Sequence, residues 1–291
     1  HALPLAELSF WRYVASETMP RLKLDPKTLE RVRRLALASR RRVSALLSGE
    51  FRSQFRGTGM EFETVREYVP GDDVRALDWN VTARLSRPYV KLFVESRERP
   101  TWLVVDRSAS TAVGDPEPKS ARAVEVAAML ALVAAQQQDR VGLMAFGDTV
   151  GPVIPPGRGR RHAYAIVQRL FALETQKGET DLAGAIRAAG ALLRRRALVV
   201  ILSDFLAPGW EAPLKGLSAR HEVTAIALDD ARETALPTGG WVQLVGAERG
   251  GTVLFDSGDA VTRKRAEAMA QRQRMRRSTA FSAAGVREVV I

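Results

Sequence analysis

The chain has 291 residues, of which 46% are hydrophobic and none is cysteine. This composition is typical of a globular protein, and it excludes disulfides, thiolate metal sites and a fibrous or disordered chain. Lysine and arginine outnumber aspartate and glutamate by 44 to 33, a formal net charge of +11, so a polyanionic partner has to be considered.

The first half of the chain contains two predicted segments of different character. A helix pattern begins at Asp25-Pro26, an N-cap followed by proline at the first helical position, and ends at Ser48-Gly49. Beyond it, glycine and proline separate short β-prone pieces, of which 89–94 is the clearest. We therefore predict an N-terminal segment with an amphipathic helix over 1–50 and a small β-rich module over 51–99.

From residue 100 onward, apolar strand patterns alternate with helical ones. The predicted elements are, in chain order, a strand at 101–106, a helix near 118–137, strands at 140–147 and 150–154, helices near 160–173 and at 181–195, strands at 197–204 and 222–229, a hairpin within 241–256, a basic helix over 259–279 and a last strand at 286–291. Such alternation predicts an α/β fold with a doubly wound, mainly parallel sheet. The short turn before 150–154 predicts that this strand is antiparallel, because a parallel crossover needs more residues.

Polar side chains follow two of these buried strands and precede one helix. Because the carboxyl ends of parallel strands meet at one edge of a sheet, we expect these side chains to lie together. Carboxylate and hydroxyl oxygens favour Mg²⁺, with Mn²⁺ or Ca²⁺ as alternatives, and neutral hydroxyls leave such an ion able to attract an outside anion. The predicted metal ligands are Asp106, Ser108, Ser110, Thr180 and Asp204.

A purely local interpretation of the same residues is also available. Asp106 could cap the turn that follows it, Thr180 could be the N-cap of helix 181–195, and Asp204 could simply end a strand. A lone Asp-x-Ser-x-Ser pattern is common in loops. The placement of all three motifs on one side of a single sheet favours the metal site.

This constellation resembles the metal-ion-dependent adhesion site of von Willebrand factor A domains, whose pattern is Asp-x-Ser-x-Ser, then Thr, then Asp. All five positions match. The order of elements is similar as well, including the second strand over 139–146 and the motif Gly178-Glu-Thr-Asp-Leu182 before a helix. The resemblance implies an α/β domain that binds proteins through a divalent cation.

More specifically, the chain resembles the bacterial DUF58 family of A-domain proteins. The motifs that carry this resemblance are Gly57-Thr-Gly-Met-Glu-Phe62, Arg66-Glu-Tyr68, Pro70-Gly-Asp-Asp-Val-Arg75, Leu77-Asp-Trp79 and Thr82-Ala-Arg84. The resemblance implies an adaptor that works with a MoxR-type AAA+ ATPase, and with a client, in assembling or remodelling protein complexes. Thr111 and Ser96 depart from the family pattern, but neither is a predicted metal ligand.

Charged residues of the hallmark motifs form a second candidate group. They are Arg66, Asp72, Asp73, Arg75, Asp78, Trp79 and Arg84. Arginine and carboxylate side chains of this kind pair through bidentate hydrogen bonds. The group is either a structural network that fixes the β-rich module or a docking surface for a partner, and the residue pattern does not choose between them.

Two other functions compete with the adaptor hypothesis. A Mg²⁺-dependent hydrolase would need a general base, but His162 and His221 are expected at surface or helix-end positions, and Asp181 is better explained as a helix cap. A nucleic-acid-binding protein would use arginine clusters near 31–42 and 263–277, yet these lack interleaved aromatic residues. We therefore expect a protein that is not an enzyme and that has little affinity for nucleic acid.

No stretch of the chain predicts a membrane span. The longest apolar stretch, over 123–135, is too short to cross a bilayer and contains Glu125. The chain also opens without a charged and then apolar leader. We expect a soluble, cytoplasmic protein.

Overall fold

The structure is a computed structural model that describes residues 60–73, 76–85, 87–95, 99–112, 114, 118–176, 178–230, 240–245 and 252–291. These residues fall into two compact units, 60–95 and 99–291. The predicted helix within 1–50 lies outside the described residues, as do residues 51–59 of the predicted β-rich module.

In the unit formed by 60–95, strand β1 (Met60–Glu67) pairs antiparallel with β2 (Tyr89–Glu95). Helix α1 (Trp79–Leu85) lies between them in sequence. The predicted strand at 89–94 is confirmed, but α1 was not predicted. This helix is only seven residues long, and its N-cap, Asp78, accepts hydrogen bonds from the backbone N–H groups of Asn80 and Val81 at 3.0 and 3.3 Å.

The unit formed by 99–291 contains eight further strands and five helices among the described residues. They are β3 (Thr101–Asp106), α2 (Lys119–Gln136), β4 (Val141–Phe146), β5 (Val150–Gly157), α3 (Gly159–Ala172), α4 (Leu182–Leu192), β6 (Leu198–Ser203), α5 (Glu211–Ser218), β7 (Glu222–Ala227), β8 (Trp241–Val245), β9 (Thr252–Asp256), α6 (Ala260–Ala283) and β10 (Arg287–Val290). A short 3₁₀ helix, Ala109–Ala112, follows β3.

Six of these strands form one sheet in the order β10-β7-β6-β3-β4-β5. All neighbours are parallel except β5, which pairs antiparallel with β4 at the edge. Every residue of β3, β4 and β6 is buried, as expected for central strands covered by helices on both faces. The predicted doubly wound α/β fold and its antiparallel edge strand are both confirmed.

The remaining predicted elements are also present, with one addition. Strands β8 and β9 form the predicted antiparallel hairpin, and β10 extends the sheet in parallel beside β7. Helix α5 was not predicted, because Pro208, Gly209 and Pro213 punctuate its segment like a loop. Pro213 lies in the first turn of α5, where the backbone N–H has no intrahelical acceptor and proline is tolerated.

Helix α6 packs on the sheet through a small part of its surface. Arg277 and Phe281 are its buried residues, and the ring of Phe281 meets those of Phe205 and Trp210 at centroid distances of 4.9 and 5.2 Å. The rest of the helix is largely polar and exposed. Over the part of the chain that the structure describes, no helix has the length and apolar character needed to cross a bilayer.

Candidate metal centre

Asp106 is the most enclosed member of the predicted site. It ends the central strand β3 and is fully buried. Its Oδ1 accepts a hydrogen bond of 2.9 Å from the backbone N–H of Ser108, and its Oδ2 accepts one of 2.6 Å from the hydroxyl of Ser203. The first bond is the turn cap of the local interpretation. The second bond joins two neighbouring strands, which a turn cap does not explain.

The two serine hydroxyls of the motif lie together on the loop after β3. Ser108 Oγ and Ser110 Oγ are 3.0 Å apart. Thr111 fixes this loop, because its hydroxyl and its backbone N–H both donate to the carbonyl of Ser108, at 2.8 and 3.2 Å. Thr111, which departs from the family pattern, therefore stabilises this turn.

Asp204 lies at the same edge, directly after the neighbouring strand β6, and is 2% exposed. Its Oδ2 accepts a hydrogen bond of 3.0 Å from Nζ of Lys119, and its Oδ1 accepts one of 3.2 Å from the backbone N–H of Leu206. The next residue, Phe205, has a φ of 55°, a left-handed conformation that bulky residues rarely adopt. Backbone strain of this kind concentrates at functional sites.

The two carboxylates influence each other electrostatically. Burial and, after it, the negative charge of Asp204 together raise the pKa of Asp106 to about 6, although hydrogen bonds from Ser108 and Ser203 act in the opposite direction. Without a bound cation, ionised Asp106 therefore lowers the stability of the folded protein. A cation between the carboxylates would remove that cost.

Thr180 is carried by the loop that precedes α4. Asp181, the next residue, donates its backbone N–H to the carbonyl of Gly147 at 2.8 Å, which holds the loop against the end of β4. Asp181 is also the N-cap of α4, because its carboxylate accepts from the N–H of Gly184 at 2.7 Å. The capping role considered for Thr180 thus belongs to Asp181, while Thr180 itself is half-buried at this edge of the sheet.

The donor set fits a small divalent cation. Oxygens about 2.1 Å from an octahedral ion lie about 3.0 Å from each adjacent ligand, and the Ser108 and Ser110 hydroxyls are 3.0 Å apart. Within the described ranges, no group of three or more His, Cys, Asp or Glu side chains is placed to hold an ion. The predicted set relies instead on two carboxylates and on hydroxyls, and its role as a metal site stays a prediction.

Two residues of this region were missed from the sequence. Ser203 ends β6 and directly precedes the predicted ligand Asp204, which was a usable signal. Lys119 was read as part of a helix start. Its side chain turns inward to the carboxyl edge of the sheet, which residue spacing alone does not reveal.

Most members of the charged hallmark group are partly or fully exposed among the residues described. Arg66 and Asp72 form a 2.7 Å ion pair that is partly exposed, and Asp72 also accepts from the backbone N–H of Val69, which closes a local turn. Asp78 is the buried cap of α1. Trp79 is 69% exposed, and Asp73 and Arg84 are exposed as well. Arg75 lies outside the described residues.

The structure describes the three residues that were considered as a general base, His162, His221 and Asp181. His162 is half-buried, and its Nε2 is 2.8 Å from the carbonyl of Val141. His221 lies just after helix α5, where its backbone N–H donates to the carbonyl of Leu217 at 2.9 Å, so of the two predicted positions it has the one at a helix end. It is buried and directly precedes β7, at the opposite edge of the sheet from Asp106. Burial lowers the pKa of His221, and the charges of Arg220 and Arg196 lower it further. Asp181 is already engaged as a helix cap.

The second basic cluster lies on α6, as predicted. Its exposed members are Lys264, Arg265, Arg272 and Arg276, with Arg263 and Arg274 half-buried and Arg277 buried. Exposed positions between them carry Met269 and Met275, and the only aromatic residue of α6, Phe281, is buried. This is the pattern of a solvated helix surface, since single-stranded nucleic-acid sites interleave aromatic side chains with basic ones. The first cluster, near 31–42, lies outside the described residues.

The sheet order, its antiparallel edge strand and the Asp-x-Ser-x-Ser loop after the first strand of the sheet together define an A-type α/β domain of the von Willebrand factor class. The family model "Protein of unknown function DUF58" matches residues 64–276, and the chain belongs to this family. Uncharacterized proteins of Mycobacterium tuberculosis and Mycobacterium bovis are each 37% identical over 230 residues, which cover 78% of this chain and 73% of the relative.

Several solved structures are similar at a lower level. BatB from Bacteroides thetaiotaomicron aligns with a TM-score of 0.41 and 14% identity over 66% of this chain and 90% of that chain. The SpRpn10 VWA domain aligns with a TM-score of 0.35 and 17% identity, over 44% of this chain and 74% of that one. Manganese-loaded Plasmodium vivax TRAP protein aligns with a TM-score of 0.33 and 19% identity, over 45% and 57% respectively.

Proposed function

We propose that this chain is a metal-dependent protein-interaction module whose candidate metal centre binds Mg²⁺ and, through it, an acidic side chain of a partner protein. The proposal is supported by two buried carboxylates, Asp106 and Asp204, which lie at the carboxyl ends of the neighbouring strands β3 and β6 and interact electrostatically. The Ser108 and Ser110 hydroxyls lie 3.0 Å apart on the loop after β3. A fold of the von Willebrand factor A class agrees with a protein-interaction role.

Each predicted ligand has a distinct part in this proposal. Asp106 holds the ion with its buried carboxylate, Ser108 and Ser110 supply neutral oxygens from one loop, and Thr180 and Asp204 complete the set directly or through water. When bound, the cation supplies a positive charge that neutral hydroxyls leave only partly compensated. A carboxylate of a partner protein is the natural anion to compensate the remainder.

We infer that the partner is a MoxR-type AAA+ ATPase, and that the pair assembles or remodels protein complexes in the cytoplasm. Membership of the DUF58 family supports this choice, since the resemblance described above implies such a partner. We infer binding and not catalysis, because Asp181 is engaged as a helix cap and His221 lies at the opposite edge of the sheet.

Calorimetric titration with Mg²⁺, Mn²⁺ and Ca²⁺ tests the metal site. The parent protein should bind one divalent cation, while Asp106→Ala and Ser108→Ala should bind none. Asp259→Ala and Ser218→Ala are matched controls, because Asp259 caps α6 and Ser218 donates to the carbonyl of Lys215, both outside the predicted ligand set. Equal binding by the parent and Asp106→Ala would refute the proposed site.

Capture of a purified MoxR-type ATPase tests the partner. The immobilised parent should retain the ATPase in Mg²⁺ and release it when a chelator is added. Asp106→Ala should retain little in either condition, whereas Asp259→Ala should behave like the parent. Retention that survives both chelation and Asp106→Ala would show that the contact does not use the metal centre.

A further inference from the structure

Lys119 has an unusual position for a lysine. It is the first residue of α2, and its side chain is among the largest of those that are fully buried in the described residues. Lysine is almost never buried without a partner, because removing its charge from water is costly. The partner here is Asp204, whose Oδ2 lies 3.0 Å from Nζ of Lys119.

This ion pair belongs to the same edge of the sheet as the candidate metal centre. Asp204 lies between Lys119, which it contacts, and Asp106, whose carboxylate it influences electrostatically. Two further charged residues lie nearby. Arg107 interacts electrostatically with Asp106, and Asp229, which follows β7, interacts electrostatically with Lys119. The guanidinium of Arg107 donates to the backbone carbonyls of Ser120 and Leu173, whereas the ammonium of Lys119 directly contacts a predicted ligand.

We propose that Lys119 is an internal counter-cation of the candidate metal centre, which weakens divalent-cation binding and keeps the cation-loaded centre positive enough to take a partner's carboxylate. This inference rests on the proposed function. Its physical basis is a fixed charge: the ammonium offsets one of the two carboxylates before any divalent cation enters. The loaded centre therefore carries one more positive charge than the same two carboxylates would leave it.

Two opposite effects follow from removing that charge. A divalent cation should bind more tightly to Lys119→Met, because the variant no longer places a positive charge beside the ion. An external carboxylate should bind less tightly to the cation-loaded variant, since its net charge is lower. A merely structural role for Lys119 predicts neither effect. If the variant failed to fold, the binding of the cation and the binding of the carboxylate would both become weaker.

The first test measures Mg²⁺ dissociation constants by calorimetry. Lys119→Met should bind Mg²⁺ roughly tenfold more tightly than the parent, as expected for a single charge removed at a few ångströms in a protein of moderate effective dielectric constant. Lys119→Arg keeps the charge and should stay near the parent's affinity. Asp106→Ala in the Lys119→Met background should abolish binding, which places the ion at the centre.

A thermal-shift experiment covers the possibility that Lys119→Met folds poorly without an ion. Its unfolding temperature, and that of the milder Lys119→Gln, should rise more steeply with Mg²⁺ concentration than that of the parent. Sodium acetate supplies the external carboxylate, and its effect on the unfolding temperature is measured in the same way. Sodium chloride serves as the ionic-strength control. With Mg²⁺ present, acetate should raise the unfolding temperature of the parent more than that of either variant.

The outcomes separate this inference from the proposed function. If the parent and the variants bind Mg²⁺ equally, the role of Lys119 is refuted while the metal site stands. If none of the proteins binds Mg²⁺, both ideas fail. If only the lysine variants bind Mg²⁺, the charge effect of Lys119 is supported and the metal dependence of the parent protein is contradicted.

Discussion

The hydroxyl of Ser203 donates a hydrogen bond of 2.6 Å to Oδ2 of Asp106, across two neighbouring parallel strands. The same Ser203 oxygen accepts the backbone N–H of Phe205 at 3.1 Å. One serine therefore fixes both the carboxylate at the end of β3 and the chain direction after β6. The two predicted metal-binding loops are coupled through this residue.

We expect Ser203→Ala to destabilise the protein by about 1–3 kcal/mol, because a buried carboxylate oxygen loses its short hydrogen bond. The variant should also bind Mg²⁺ more weakly, since Asp106 loses one of the hydrogen bonds that orient its carboxylate. Urea denaturation and calorimetry measure the two effects. Ser218→Ala, which removes an exposed hydroxyl on α5, should change neither, and an unaltered stability of Ser203→Ala would contradict the structural role.

Gly178 controls the loop that carries Thr180. Its φ of +130° is rarely adopted by residues with a side chain, and a Cβ there would lie 3.0 Å from Cβ of Asp148. We expect Gly178→Ala to cost about 1–3 kcal/mol of stability and to weaken Mg²⁺ binding by displacing the loop. Gly216→Ala in helix α5, where a Cβ meets open space, should be neutral or stabilising. Unchanged Mg²⁺ affinity in Gly178→Ala would separate this loop from the site.

Phe281 anchors helix α6 to the domain. Its ring packs edge-on against Phe205, the residue in the left-handed conformation. The same ring packs at a tilt of 38° against Trp210. Phe281→Ala should destabilise the protein by about 3–5 kcal/mol, as expected when a large buried aromatic leaves a cavity. Met275→Ala on the same helix, where the side chain is exposed, should stay within about 0.5 kcal/mol of the parent. Similar losses in both variants would show that α6 is not anchored at Phe281.

Arg277 should be far more important for stability than Arg66. Arg277 is buried and bonds to Asp229 at 2.7 Å and to Glu288 at 2.9 Å, so Arg277→Met removes a buried partner from each carboxylate, although Asp229 keeps Arg274 at 2.9 Å. The expected loss is about 3–5 kcal/mol. Arg66→Met removes a partly exposed ion pair with Asp72 at 2.7 Å, so the free energy of unfolding should fall by about 1 kcal/mol or less. Chemical denaturation of the two variants compares these costs, and equal losses would contradict the difference in burial.

Asp139 should make stability depend on pH. Burial raises its pKa to about 6 from a usual value near 3.8, so the folded state holds a proton that the unfolded state has released. The contribution of Asp139 is therefore fully present below pH 4 and is lost as the pH rises through about 6. The stability of the parent minus that of Asp139→Asn should fall between pH 4 and pH 7. A difference that rises or stays constant over this range would contradict the raised pKa.

Much of the fold followed from patterns within single segments. The apolar runs at 101–105 and 197–202 predicted buried parallel strands, and the short turn after Phe146 predicted the antiparallel β5. The Asp-x-Ser-x-Ser spacing placed three oxygen-bearing side chains on one loop. These predictions succeed because strand burial, turn length and loop spacing depend on residues close together in the chain.

Only the tertiary structure decided which distant side chains meet. It brought Ser203 to Asp106 and the side chain of Lys119 to Asp204, and it gave Asp181 the helix cap that Thr180 could have supplied. It also placed Trp79 in solvent and left Arg66 and Asp72 as a local pair. Such contacts depend on strand order and on how helices lie across the sheet. The sequence therefore determined the kinds of side chain at this edge, while packing decided which of them pair and which stay open to a ligand.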